Sequence, residues 1–103
     1  MSMTIAKILL YMFIAEPNNR VCAYIEDEIY AIKSVDTFGG CKNIGKIQLT
    51  SEWNETVTVG EFISNLNKIM TLFGNQELFL KHGKMFKVLR CYFMGDVFVI
   101  GGK

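Results

Sequence analysis

The sequence predicts an α+β fold in one domain, built from two tandem units that each run helix, then a three-stranded antiparallel meander (αβββ-αβββ). Three observations predict it. The chain has 103 residues, half of them apolar and 13% aromatic, so it can bury one modest core and no more. Residues 58–70 carry a helix cap and an apolar face at helical spacing. The same cap and the same spacing occur near the N-terminus, in residues 4–12. The expected boundaries are 3–50 for the first unit, 51–56 for a linker and 57–100 for the second unit.

The second helix is the clearer of the two. Val59, Phe62, Ile63, Leu66, Ile69 and Met70 make one apolar face, and Glu61, Ser64, Asn65, Asn67 and Lys68 make the other. Thr58 and Glu61 have capping-box spacing, with Val57 and Phe62 placed for a hydrophobic staple. Gly74-Asn75 ends the helix. Glu77–Leu80 is then a strand, His82-Gly83-Lys84 a turn, and Met85–Phe93 a second strand with Phe86, Val88 and the Arg90 stem on one face. Met94-Gly95-Asp96 turns into Val97–Ile100, leaving Gly101-Gly102-Lys103 as a tail.

Thr4, Ile5, Ile8, Leu9 and Met12 repeat the pattern of Thr58, Val59, Phe62, Ile63 and Leu66. Val21–Ile25 then corresponds to Leu78–His82, Glu26-Asp27-Glu28 to the Gly83 turn, and Ile29–Lys33 to Phe86–Arg90. Gly39–Asn43 is the second turn and Ile44–Thr50 the third strand. A unit of this size cannot bury its apolar face alone, whereas two copies can bury theirs against each other. The helices differ outside the shared face. Leu10, Tyr11, Phe13 and Ile14 stand where helix two has Ser64, Asn65, Asn67 and Lys68. Helix one is therefore apolar nearly all round and is expected to be covered on two sides, by helix two and the sheet or by a second chain in a homodimer.

Charge and cysteine content exclude several classes. Eleven basic residues face ten acidic ones, for a net charge of +1, and the lysines and arginines are scattered among acids. A nucleic-acid partner is not expected on that pattern. Cys22, Cys41 and Cys91 are odd in number and far apart in sequence, so neither a disulfide framework nor a zinc site is expected. No cofactor is expected either. The run from Ile8 to Ala15 is too short to span a bilayer, and Phe13 and Glu16-Pro17 do not suit a signal-peptide cleavage site. The cytoplasm is the expected location, and the Asn54-Glu55-Thr56 sequon is then silent.

Gly40–Lys46 matches the first seven positions of a phosphate-binding loop, but Ile47 replaces the magnesium-binding hydroxyl and a strand follows instead of a helix. It reads as a turn. His82 sits in a turn with no catalytic partner nearby in sequence, and Cys22 and Cys91 lie in strands as core thiols. No catalytic constellation emerges. Glu26, Asp27 and Glu28 form an acidic hairpin tip that could meet a basic partner surface. Trp53, beside Glu52 and Glu55, either pins the two units or anchors an interface.

The stretch Thr56-Val-Thr-Val-Gly-Glu-Phe-Ile-Ser-Asn-Leu66, followed by Glu77-Leu-Phe-Leu80 and a hairpin, resembles a pattern in small accessory proteins of tailed bacteriophages, over residues 56–100. In place of the acid-and-proline connection frequent in that pattern, this chain has Thr71-Leu-Phe-Gly-Asn75. The resemblance implies a protein that binds and blocks a host factor, as an anti-CRISPR does, or that sequesters a signal molecule. The expectation is a non-enzymatic inhibitor of a host protein, with Tyr11, Ile14, Glu26, Asp27, Glu28 and Trp53 as contact residues. The alternative is a homodimer that binds a nucleotide-like ligand through Lys42, Lys46, Lys84 and Lys87.

Overall fold

Among the described residues each of two capped helices is followed by three strands. The computed structural model describes residues 2–37 and 44–103. Helix α1 (Ile5–Met12) precedes strands β1 (Arg20–Ile25), β2 (Glu28–Thr37) and β3 (Ile44–Thr50). A short 3-10 turn, Trp53–Glu55, leads to helix α2 (Val59–Phe73) and strands β4 (Glu77–His82), β5 (Lys84–Met94) and β6 (Val97–Gly102). The architecture is α+β, as predicted. Both helices start at the expected caps: Thr4 Oγ1 accepts from Lys7 N, and Thr58 and Glu61 form the complete capping box.

The six strands form one closed sheet rather than two separate meanders. β1–β2–β3 and β4–β5–β6 pair antiparallel, and the two triplets are joined by parallel pairing of β3 with β4 and of β6 with β1. Closure removes the exposed edges that an open sheet would present. The last strand runs on through Gly101 and Gly102, which pair with Arg90 and Val88, so these glycines are not a tail. A Cβ on Gly102 would stand 2.6 Å from Leu80 Cδ1 and 2.9 Å from Lys87 O, so only glycine fits there.

Alternation in each strand sends one set of side chains into the barrel. Val21, Ala23, Ile25, Ile32, Val35, Ile47, Leu78, Leu80, Phe86, Val88, Phe98 and Ile100 share one core with Ile5, Ile8 and Met12 of α1 and Val59, Phe62, Leu66 and Ile69 of α2. The helices run antiparallel across one end of the barrel. Ala6 N donates to Asn75 Oδ1, which ties the start of α1 to the end of α2, and Gly60 N donates to Pro17 O at the other end of the pair. The β1–β2 and β4–β5 tips lie at the opposite end.

The closing contacts occur in pairs. Thr56 Oγ1 donates to Val21 O and accepts from Ile32 N. Ser2 Oγ donates to Leu78 O and accepts from Val88 N. Val21 N donates to Val57 O as Leu78 N does to Met3 O, and Val57 N donates to Ile32 O as Met3 N does to Val88 O. Single bridges join Arg20 to Thr58 and Glu77 to Thr4. β2 and β5 also shift register at matching places, between Ile32 and Ser34 and between Val88 and Arg90.

These contacts correct three expectations. Tyr30, not Ile29, corresponds to Phe86, because Tyr30 pairs with Ala23 and Phe86 with Leu80. The slip of one residue comes from the tips: Glu26 and Asp27 both turn β1 into β2, whereas Gly83 alone turns β4 into β5. The shift in β5 also takes Arg90 off the face of Phe86 and Val88, leaving Arg90 exposed and Cys91 against the core. The outer side of α1 is not covered within the chain, as described next.

Candidate functional site

On α1, Ile5, Ile8 and Met12 enter the core, and Leu10 lies on the opposite side, followed past the helix end by Phe13 at the C-cap and Ile14 in the turn. Leu10 is 73% exposed, Phe13 85% and Ile14 77%, with Tyr11 beside them at 43%. This overturns burial of that side against α2 and the sheet. α2 is too narrow to reach round it: its own apolar face is spent on the barrel, and Glu61, Ser64, Asn67 and Lys68 are exposed. The result is a group of exposed apolar side chains at the end of α1; Leu72 and Phe73 at the end of α2 are exposed as well, at 65% and 55%. Lys7 Nζ lies 5.8 Å from the Tyr11 ring centre.

A second cluster sits at the other end of the barrel. Glu26 and Asp27 both have positive φ, 49° and 63°, as a two-residue type I′ turn requires. Neither residue is the asparagine or glycine that such a turn favours. Tyr24 OH donates to Asp27 Oδ1 at 3.2 Å, and Tyr30 OH donates to Glu28 Oε2 at 2.7 Å. Each hydrogen bond to a carboxylate holds its tyrosine's pKa above the ordinary value. His82 packs its ring on Tyr30, 4.3 Å between centres, and Lys84 Nζ lies 3.8 Å from Glu26 Oε1. The acidic tip is therefore a mixed surface, tied to the neighbouring hairpin through Tyr30–His82 and Glu26–Lys84. Nothing in the sequence spacing links residue 30 to residue 82; closure of the barrel does.

The remaining predicted residues separate. Trp53 is half exposed on the turn before α2, at 49%, and its carbonyl accepts from Thr56 N. Lys42, Cys41 and most of the phosphate-loop-like run lie outside the described residues. Lys84 belongs to the hairpin tips, away from Lys46 and Lys87, which flank Phe79 on the outer face of β3, β4 and β5. Burial pushes the Cys22 thiol up to about 11 and the Cys91 thiol to about 12, so both are protonated, weak nucleophiles near neutral pH. Cys91 Sγ lies 3.8 Å from Met3 Sδ. Among the described residues no group of three or more His, Cys, Asp or Glu side chains could hold a metal ion. A shallow groove of about 280 Å³ runs along Ser2, Met3, Thr4, Lys7, Val88 and Leu89. Its one charged group is Lys7. No helix among the described residues is long and apolar enough to cross a membrane.

Comparison with protein-family models, curated proteins and solved structures finds no match.

Sequence reasoning missed the two hydroxyls that join strands, Ser2 and Thr56. The hydroxyl next to a helix cap was the available signal, present two residues before Thr4 and again before Thr58.

Proposed function

We propose that this chain is a non-catalytic binding protein that occupies a surface of another protein through α1, with a host bacterial factor as the target that the phage resemblance implies. The observation that carries the reading is the exposed group of Leu10, Phe13 and Ile14. A small domain gains nothing in its own stability from three large apolar side chains held in water. Leu10 on the last turn of α1, with Phe13 and Ile14 directly after it, presents large apolar side chains together at the end of a capped helix, which suits an apolar pocket on a partner. The proposal extends to the build of the chain: two tandem αβββ units made by internal duplication, supported by the paired closing contacts of Ser2 and Thr56. On that view this group belongs to one copy alone, since the other keeps Ser64, Asn67 and Lys68 there. The tip residues Glu26, Asp27 and Glu28 and the half-exposed Trp53 serve as secondary contacts.

Fully burying a Leu, Ile or Phe side chain contributes about 1.5–3 kcal/mol, so losing three such contacts weakens binding at least a thousandfold. The test compares wild type with the triple variant Leu10→Ser, Phe13→Ser, Ile14→Ser. Each chain is used as bait in a bacterial lysate, and its mass in solution is measured alone. The wild type is expected to hold a specific protein that the triple variant loses, at unchanged far-UV circular dichroism. Equal capture by both chains, or a wild type that remains a monomer and holds nothing, overturns the reading.

A further inference from the structure

The barrel brings together lysines that the sequence scatters. Lys46 pairs with Phe79, and Phe79 with Lys87, so the three lie in one row across β3, β4 and β5. Their neighbours Ile47, Leu80 and Phe86 are buried in the core. Alternation therefore turns Lys46, Phe79 and Lys87 outward, together with Lys81 two residues beyond Phe79. Paired residues on adjacent strands stand about 5 Å apart and diagonal ones about 7–8 Å apart. Lys81 and Lys87 are thus diagonal neighbours beside one half-exposed aromatic ring. Asp36 pairs with Lys46 on its other side and offsets part of its charge, which makes the β4–β5 side the positive end of the row. Lys81 Nζ donates to Gly83 O at 2.8 Å, a single bond that leaves its ammonium further donors.

The matching contacts of the other triplet make the significance of this row visible. There the same outward row is Val99, Cys22 and Ala31, joined by the equivalent parallel and antiparallel pairs. Those three residues are 0%, 2% and 0% exposed. One half thus carries small covered side chains where the other carries Lys-Phe-Lys. A half-exposed ring flanked by ammonium groups on a sheet face has the chemistry of a stacking platform for a base with cations for its phosphate.

We propose that the outer face of β3–β4–β5 binds a nucleotide unit, with its base stacked on Phe79, its phosphate on Lys81 and Lys87, and Lys46 on the opposite flank. The unit can be a free nucleotide or part of a single strand, and both present the same base and phosphate. This site is separate from the apolar group on α1 and stands or falls independently of it.

The experiment measures fluorescence anisotropy of a labelled eight-residue oligothymidylate and a labelled ATP, at 50 and 200 mM salt. Lys87→Glu and Lys81→Glu are exposed or half-exposed changes made outside the core. Lys68→Glu on α2 makes the same charge change at a distance. Phe79→Ala is expected to weaken binding from about fivefold to about a hundredfold, the cost of one lost base stack. Lys87→Glu and Lys81→Glu are each expected to weaken it by tenfold or more and to flatten the salt dependence, with Lys68→Glu unchanged. Binding of ATP alone assigns the site to free nucleotides, and binding of the oligonucleotide assigns it to single strands. Either outcome, with this variant pattern, supports the proposal. Failure of both probes to bind wild type at millimolar protein overturns it, as does an equal loss in Lys68→Glu.

Discussion

Replacing Thr56 by valine should destabilise this domain strongly although it preserves the shape of the side chain. The hydroxyl is buried, donates to Val21 O at 2.6 Å and accepts from Ile32 N at 3.2 Å. It therefore stands between β1 and β2 where they diverge, and completes the pairing of both. Valine keeps the branched shape and removes both bonds. Each buried backbone group left without a partner costs about 1–3 kcal/mol, so the pair costs about 2–6 kcal/mol. The whole domain is held by about 5–15 kcal/mol. At about 4–8 °C per kcal/mol the melting temperature should fall by about 8 °C or more. Thr56→Ser is the control: it keeps the hydroxyl, loses one methyl, and should cost about 1 kcal/mol. The assay is urea unfolding followed by far-UV circular dichroism, with the slope required to stay constant so that midpoints report stability. Ser2→Ala removes the equivalent bonds to Leu78 O and Val88 N and should cost a similar amount. If Thr56→Val and Thr56→Ser unfold at the same urea concentration, the hydroxyl does not join the strands energetically and the reasoning fails.

Three further outcomes follow from the same geometry. Gly102→Ala should destabilise by about 1–3 kcal/mol, because its Cβ would press on Leu80 Cδ1 and Lys87 O inside the closed sheet; thermal unfolding of the variant checks it. Replacing Glu26-Asp27 by Asn-Gly should raise stability by about 1–2 kcal/mol, since both positions have positive φ and the new residues accept it readily; a melting point at or below wild type would refute the strain. Stability should fall as pH rises from 9 towards 12. The buried thiols of Cys22 and Cys91 keep their protons there to about 11 and 12, whereas an unfolded chain releases them near 9. The unfolded state binds fewer protons in that window, so the slope of stability with pH is negative, and a Cys22→Ala, Cys91→Ala chain should show a flatter curve.

Local features of the fold were legible in the sequence and nonlocal ones were not. The caps at Thr4 and Thr58, the apolar face of α2 and the turns at Glu26-Asp27, Gly83 and Gly95-Asp96 all depend on residues within a few places of one another, and each is found where its spacing puts it, while the expected turn at 39–43 lies outside the described residues. Closure of the sheet depends on β3 meeting β4 and β6 meeting β1, pairings across more than twenty residues that no period records. The equivalence of Ile29 with Phe86 went wrong because an apolar alternation looks the same after a slip of one residue, and only the difference between a two-residue tip and a one-residue tip decides the register. The candidate sites divide the same way. The outer side of α1 was visible as an excess of apolar residues, although its exposure was not, because hydrophobicity reports a need for cover and not its source. The Tyr30–His82 contact and the Lys46–Phe79–Lys87 row required the closed barrel before they could be seen.

The pattern of agreement between the two halves separates what folds the chain from what it offers to partners. Wherever the halves touch the core or the closing hydrogen bonds, they agree in role: Thr4 with Thr58, Ser2 with Thr56, Met3 with Val57, and the register shifts in β2 and β5. A change at one such place would leave a buried group unpaired or a core position empty. Outward positions carry no such constraint, since an exposed side chain contributes little to stability whatever its chemistry. Even so, Leu10, Tyr11, Phe13 and Ile14 at the end of α1 are exposed and large, and the outer face of β3–β4–β5 sets an aromatic ring among lysines. The first composition exposes apolar surface to water and does not help the isolated domain. That cost is recovered only when something covers those side chains, which is the physical reason to seek a partner there before anywhere else.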